Sequence, residues 1–359
     1  KRLNGSKMRS TYRKIFKICL TFFIVLGFNY GVSFQQFLHY DWTDTRGLSD
    51  SLSYLDMSNG KYSVPSGHRY RIIIPFLAGF VRSSIQSLVP AEQLYWLGGV
   101  DSLSFYIVNC LVTSLTGLFL YFFLAQLKFD SKLSLLGVFI FLGSRITIIT
   151  TAAPIVDSLY HLAIIIIVYF SLTQQTIALA LTIPLLILTK ETIIPFLFLP
   201  LFLKTINRKL IGASLSVSFV IFFWVREKIT VALPNVVEVN DPIFDIVIKH
   251  LASVPENMIK IFFSVEGWHG LFSTFSIFWL IAAFGVWLEF KKASTFYQIP
   301  PFLFLIVPIP VLLAILSANT GRMLLSLFPI VVPYTLIGID YLCSQKIANY
   351  LSLNKKGEP

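Results

Sequence analysis

Apolar residues in this chain gather in long blocks, and the charged residues are mostly confined to the joints between them. The first block covers about residues 15–32, and later ones about 101–127, 133–151, 156–174, 175–189, 191–204, 210–226, 270–289, 299–317 and 323–343. Several reach about 18 residues, the length at which a helix spans the hydrocarbon core of a bilayer. The pattern predicts an all-α polytopic membrane protein of about ten transmembrane helices, built as a single membrane-embedded domain over residues 1–359. No joint is long enough to build a separate soluble core. Blocks 175–189 and 191–204 are short, about 22 Å each against a core near 30 Å. They predict a hairpin whose tip, Lys190-Glu191-Thr192, dips below the membrane surface.

One apolar block is left out of that count. Residues 72–89 carry Arg82 near their middle, and an arginine at the bilayer centre costs about 2.5–3.5 kcal/mol or more. An amphipathic helix lying in the interface is the cheaper arrangement. Residues 34–100 then form a first outer loop with interfacial helices, and residues 227–269 a second. The middle of the second, 243–263, alternates apolar and polar residues like another interfacial helix.

Composition agrees with the block pattern. The chain is 55% hydrophobic and 13% charged, with a mean hydropathy of +0.75, where a soluble domain carries about 25% charge. The net charge of +11 matters less than where it falls. Lys1, Arg2, Lys7, Arg9, Arg13, Lys14 and Lys17 precede or open the first block, a cytoplasmic anchor by the positive-inside rule and not a nucleic-acid patch. That block lacks a small-residue cleavage site, which predicts a retained helix. With 72–89 outside the membrane, the inner side holds 17 basic and 4 acidic residues, and the outer side 12 and 14. Counting 72–89 as a span inverts every later loop and moves most lysines outside. The charge bias therefore predicts both termini in the cytoplasm. Cys19, Cys110 and Cys343 lie far apart in apolar blocks and suggest neither disulfides nor a metal site.

The charges that remain collect at one face. The polar stretch 40–71 holds Asp41, Asp44, Asp50 and Asp56, then Pro65-Ser66-Gly67-His68, Arg69 and Arg71. Asp157, Lys190, Glu191 and Arg322 all fall at helix ends on the same outer side. Carboxylates that accept a proton and guanidinium forks that bind phosphate suit sugar transfer from a lipid phosphate. Each residue also has a plainer role. Asp157 can cap the helix that follows Pro154, and Arg145 is placed to partner Asp157. Arg69, Arg71 and Arg322 can anchor to headgroups, Lys190-Glu191 can be a structural ion pair, and Trp268 can be a belt residue. His39, His161 and His250 show no ligand spacing.

Asp50, Tyr54, Gly60 and the Arg69/Arg71 entry into an apolar stretch follow an order that resembles the first outer loop of the GT-C type of integral-membrane glycosyltransferases. Ala153-Pro154-Ile155-Val156-Asp157, Thr189-Lys190-Glu191-Thr192 and Gly321-Arg322 are similar to segments of bacterial members. The resemblance implies transfer of a sugar from a polyprenyl-phosphate-linked donor to a lipid, glycan or protein acceptor, at the outer face of a bacterial cytoplasmic membrane. It implies Asp50 as the catalytic base, with Asp41 or Asp44 as a second carboxylate, since Ser51 stands where a second acid often follows. Tyr54, His68, Arg69, Arg71, Asp157, Lys190, Glu191, Arg322 and Trp268 are then the substrate-binding candidates. A divalent cation is compatible with these residues and required by none of them.

Two other readings compete. Pro-Ser-Gly-His also resembles the signature of type-2 phosphatidic acid phosphatases. The Arg-Pro motif of that family is absent, however, and Thr151 stands after Ser144-Arg145 where the nucleophilic histidine belongs. A transporter, flippase, polymerase or ligase of lipid-linked saccharides would use the same charges, but a transporter tends to show repeated halves, and none is visible.

Overall fold

The computed structural model describes residues 2–39, 50–231, 248, 250–291, 297, 299–317 and 319–355. Among them every regular element is helical, and there is no strand. This is the expected outcome for apolar blocks in lipid, where a helix satisfies its own backbone hydrogen bonds without water. In chain order the helices are α1 (Arg2–His39), α2 (Asp50–Ser58), α3 (Ser66–Arg69), α4 (Ile73–Gln86), α5 (Gly99–Gln126), α6 (Ser131–Leu142), α7 (Arg145–Ala152), α8 (Asp157–Leu172), α9 (Thr176–Leu186), α10 (Ile194–Leu197) and α11 (Arg208–Val231). There follow α12 (Val254–Phe263), α13 (Val265–Phe275), α14 (Phe278–Phe290), α15 (Pro308–Ser317), α16 (Thr320–Leu324) and α17 (Phe328–Lys355).

Four stretches are long and apolar enough to cross a membrane unaided: Tyr12–His39, Gly99–Gln126, Arg208–Ile229 and Thr320–Ser344. Two bent pairs bring the number to six: α6 with α7, bent by 65°, and α13 with α14, bent by 67°. The expected continuous span 133–151 is therefore broken. Gly143 closes α6 through its N–H to the Phe139 carbonyl (2.8 Å), and the chain restarts in a new direction at Arg145. The stretch 191–204, expected as one helix, is a chain of short turns (Glu191–Ile193, α10, Leu199–Phe202). Pro195 and Pro200 remove the backbone donors a continuous helix would need.

The core is largely apolar, as in a water-soluble protein, but so is much of the outer surface. Large apolar side chains such as Ile177 (70% exposed), Leu181 (71%) and Val220 (69%) face outward, while Asn29, Asn109, Thr113, Asp157 and Lys190 are buried. Apolar groups on the rim and polar groups inside is the distribution that lipid demands. The inner polar groups are paired across helices. Asn29 Nδ2 donates to the Cys110 carbonyl (3.0 Å) and Ser114 Oγ (3.1 Å), tying α1 to α5.

Helix ends sort to the two ends of the bundle. Ser214, in the first half of α11, donates to the Ala180 carbonyl of α9 (2.6 Å), which ties these two helices together. Late in α11, Arg226 lies over the Tyr70 ring at 4.1 Å, which places that end beside the loop carrying α2 and α3. At the opposite end Phe129 stacks on Tyr297, whose hydroxyl donates to Asp340 Oδ2 (2.6 Å).

The loop from Asp50 to Gln86 folds back on itself. Gly60 takes φ +77° and ends α2, with its N–H on the Met57 carbonyl and the Lys61 N–H on Asp56 (both 3.0 Å); glycine adopts that φ without steric cost. Helix α2 crosses α4 at Gly79, where an added Cβ would lie 2.7 Å from the Ser58 carbonyl oxygen. Helix α4 is 14 residues long, about 21 Å, and Arg82 on it pairs with Asp101 at the start of α5 (2.8 Å).

Candidate functional site

Asp157 is held in place before it holds anything else. The turn that delivers it, Ala153 to Val156, is bound by one amide: Asn109 Nδ2 donates to the carbonyls of Ala153 (2.9 Å) and Ile155 (3.0 Å). Ser158 Oγ then donates to Asn109 Oδ1 (2.6 Å). The expected capping role is not what the carboxylate does. Val156 occupies the cap position, and Asp157 is the first residue of α8. Its Oδ1 receives Lys190 Nζ (3.0 Å) and its Oδ2 receives Arg322 Nη2 (2.5 Å). Two buried cations compete for the same oxygens more strongly than backbone N–H groups do.

From Arg322 the network continues to the loop. Arg322 Nη1 donates to Asp50 Oδ2 (3.1 Å), joining residues 272 positions apart. His68 Nε2 lies 3.5 Å from Asp50 Oδ1, and His68 Nδ1 lies 3.0 Å from Ser53 Oγ. One turn of backbone away, Arg71 donates from Nε to Glu191 Oε2 (3.1 Å) and from Nη1 to the Tyr54 hydroxyl (2.7 Å). Lys190 and Glu191, adjacent in sequence, thus close the circle from opposite sides. Among the described residues, three carboxylates (Asp50, Asp157, Glu191) face three cations (Arg71, Lys190, Arg322) at one end of the bundle.

The floor of this set is sealed and its rim is open. Side chains of Asp157 and Lys190 are 1% and 5% exposed, those of Asp50, His68 and Glu191 18%, 20% and 29%. A ligand therefore meets Asp50, His68 and Glu191 first. Burial alone would raise the Asp50 carboxyl, but Arg322 and then His68 outweigh it and hold it below the ordinary carboxylate range. Burial pushes the His68 imidazole below its ordinary value, with Asp50 offsetting part of that and Arg71 and Arg322 adding to it. Burial likewise raises the Tyr54 phenol, against the pull of Arg71. The open rim presents the Asp50 and Glu191 carboxylates and the His68 imidazole, with the Tyr54 phenol buried behind them.

Of the sequence candidates, Asp50, Tyr54, His68, Arg71, Asp157, Lys190, Glu191 and Arg322 come together here. Arg69 does not. It is buried and donates from Nε and Nη2 to the Val64 carbonyl (3.2 and 2.9 Å), which pins the turn before α3. Trp268 lies on α13, with its Nε1 on the Phe262 carbonyl (3.0 Å) and its ring stacked on Phe272. Asp41 and Asp44 lie outside the described residues. Arg145 is not the partner of Asp157. The bend after Gly143 sets it at the far end of α7, and its Nη1 donates to His269 Nε2 (2.9 Å).

Sequence reasoning missed Ser53, Asn109 and the Arg82–Asp101 pair. A lone amide inside an apolar block was the available signal for Asn109. Thr151, which stands where the phosphatase pattern needs its nucleophile, is buried, donates to the Thr147 carbonyl (2.8 Å) and lies 3.1 Å from Thr113 Oγ1. Among the described residues, no three His, Cys, Asp or Glu side chains gather as a metal-ion site. No protein-family model, curated protein or solved structure matches the chain.

Proposed function

We propose that the chain is a GT-C-like membrane glycosyltransferase that moves a sugar from a polyprenyl-phosphate-linked donor to an acceptor hydroxyl. The observation that carries this reading is the convergence of Asp50, His68, Arg71, Asp157, Lys190, Glu191 and Arg322, from separate segments, on one open-rimmed charge cluster. In this reading six long or bent spans and four of the shorter apolar helices cross a bacterial cytoplasmic membrane, giving ten. Helix α4 lies in the outer interface, both termini are cytoplasmic, and the cluster faces outward.

The reaction follows from the chemistry of the rim. The acceptor oxygen attacks the anomeric carbon as its proton passes to the Asp50 carboxylate. The bond between that carbon and the phosphate oxygen breaks, its electron pair leaves with the phosphate, and the anomeric configuration inverts. Arg322, Lys190 and Arg71 supply the positive charge that receives the departing phosphate. In the free protein Arg322 holds Asp50 as a weak base. A donor phosphate that draws Arg322 toward itself loosens that hold and raises the basicity of Asp50 when substrate is present.

The test is transfer from polyprenyl-phosphate-linked sugars by the purified protein in lipid. Asp50→Asn keeps the shape of the side chain and removes the base, so transfer should fall by at least about 100-fold while the fold is retained. Transfer at the wild-type rate would remove Asp50 from the mechanism.

A further inference from the structure

A second cavity, of about 400 Å³, opens beside the charge cluster and contains none of its residues. Its walls come from the start of α7, from α12 and α13, and from the turn leading into α16, and its polar lining includes Arg145, Lys260, Glu266, His269, Ser273 and Asn319. The walls meet through small residues. A Cβ on Gly321 would stand 2.9 Å from Ile146 Cδ1 and 3.2 Å from the Gly270 carbonyl oxygen, so α7, α13 and α16 approach each other here as closely as backbone allows.

Among the described residues, the charges lining this cavity do not balance. Lys260 is paired with Glu266 at 3.1 Å. Arg145 has no carboxylate within 4.0 Å among the described residues, and its hydrogen-bond partner is an imidazole, His269 Nε2, at 2.9 Å. A guanidinium only donates, so this contact requires the His269 tautomer that carries its proton on Nδ1. Two basic side chains set against one another, with one net positive charge left over among the described residues, form a site open to an anion. Further guanidinium N–H donors, an imidazole N–H and the Asn319 amide are a multi-donor set suited to a tetrahedral anion with several acceptor oxygens; the Ser273 hydroxyl already donates to the Gly270 carbonyl (3.0 Å).

We infer that the Arg145–His269 cavity binds the phosphate group of a phosphate ester. This site stands apart from the sugar-transfer reading, and its test reads binding and not turnover. Inorganic phosphate and dodecyl phosphate are titrated into the purified full-length protein in a neutral detergent and followed by calorimetry. Saturable binding of at least one probe is expected, weakened about ten-fold or more by Arg145→Gln, the loss of one charge-assisted contact, and less by Arg145→Lys. His269→Ala should weaken it as well and serves as a second variant should Arg145→Gln fold poorly. Much tighter binding of dodecyl phosphate assigns a lipid headgroup, and equal binding of the two assigns a soluble phosphate ester; both support the site. No saturable binding, or binding unchanged by both Arg145→Gln and His269→Ala, overturns it.

Discussion

Arg322 meets two carboxylates within 3.1 Å, whereas Arg145, whose neighbour Ile146 packs on Gly321, meets an imidazole and no carboxylate among the described residues. The two arginines border the same helix crossing and differ in what surrounds them. Arg322 is buried against two carboxylates, Asp50 and Asp157, so it belongs to the fold whether or not a ligand is present. Arg145 is exposed in a cavity whose charges do not cancel among the described residues, so it contributes little to the fold and is open to a ligand. Burial is what separates the two cases. A buried charge without a partner destabilises strongly, while an exposed one is kept by solvent until something binds it.

The sharpest way to break this contrast is to remove each guanidinium in turn. Arg322→Met leaves Asp50 and Asp157 facing each other without their shared cation, and should cost about 3–5 kcal/mol in thermal or denaturant unfolding. A loss below about 1 kcal/mol would mean that the cluster is no more coupled than a surface ion pair. Arg145→Gln should shift stability by no more than about 0.5 kcal/mol in the same assay.

Between these extremes lies a pH effect at the rim. Because His68 has a folded pKa below its ordinary 6.5, the unfolded chain takes up the proton first as pH falls. The stability this group contributes is therefore fully present above about pH 6.5 and is lost on acidification through and below that value. His68→Gln should flatten the pH dependence of the melting temperature between about pH 7 and 5. Asp50 follows the same direction at lower pH. Its folded pKa is depressed, so its contribution persists above the ordinary carboxylate value and disappears as pH falls below it. A slope unchanged by His68→Gln would assign the acid sensitivity to another group.

Much of this architecture was written in the placement of charges along the chain. Apolar blocks in this composition have no alternative to helices, and charges at block ends have no low-cost position except a membrane face. Asp157, Lys190, Glu191 and Arg322 could thus be assigned to one face without knowing a single contact. What the pattern could not resolve was pairing. Arg69 and Arg71 are two residues apart and look alike in sequence, yet one binds the Val64 carbonyl within its own turn and the other bridges to Glu191. Their roles are decided by the direction of the backbone at Pro65 to Arg69, which periodicity does not encode. Arg145 was misassigned for a related reason, since the bend at Gly143 and Ser144 lies inside an apolar block with no proline to announce it. Hydropathy alone makes 191–204 one apolar block, whereas Pro195 and Pro200 lack the backbone donors that one continuous helix needs, and the stretch breaks into short turns.

The account rests on the meeting of Asp50 with Arg322 across 272 positions of sequence, and a double-mutant cycle tests that meeting most directly. Asp50→Asn, Arg322→Gln and the double variant are compared by unfolding free energy in one detergent. The two substitutions should be non-additive, with a coupling of about 1 kcal/mol or more. Additivity within about 0.3–0.5 kcal/mol would mean that the loop and the last helix do not share a site, and would contradict the cluster on which the proposed transfer depends.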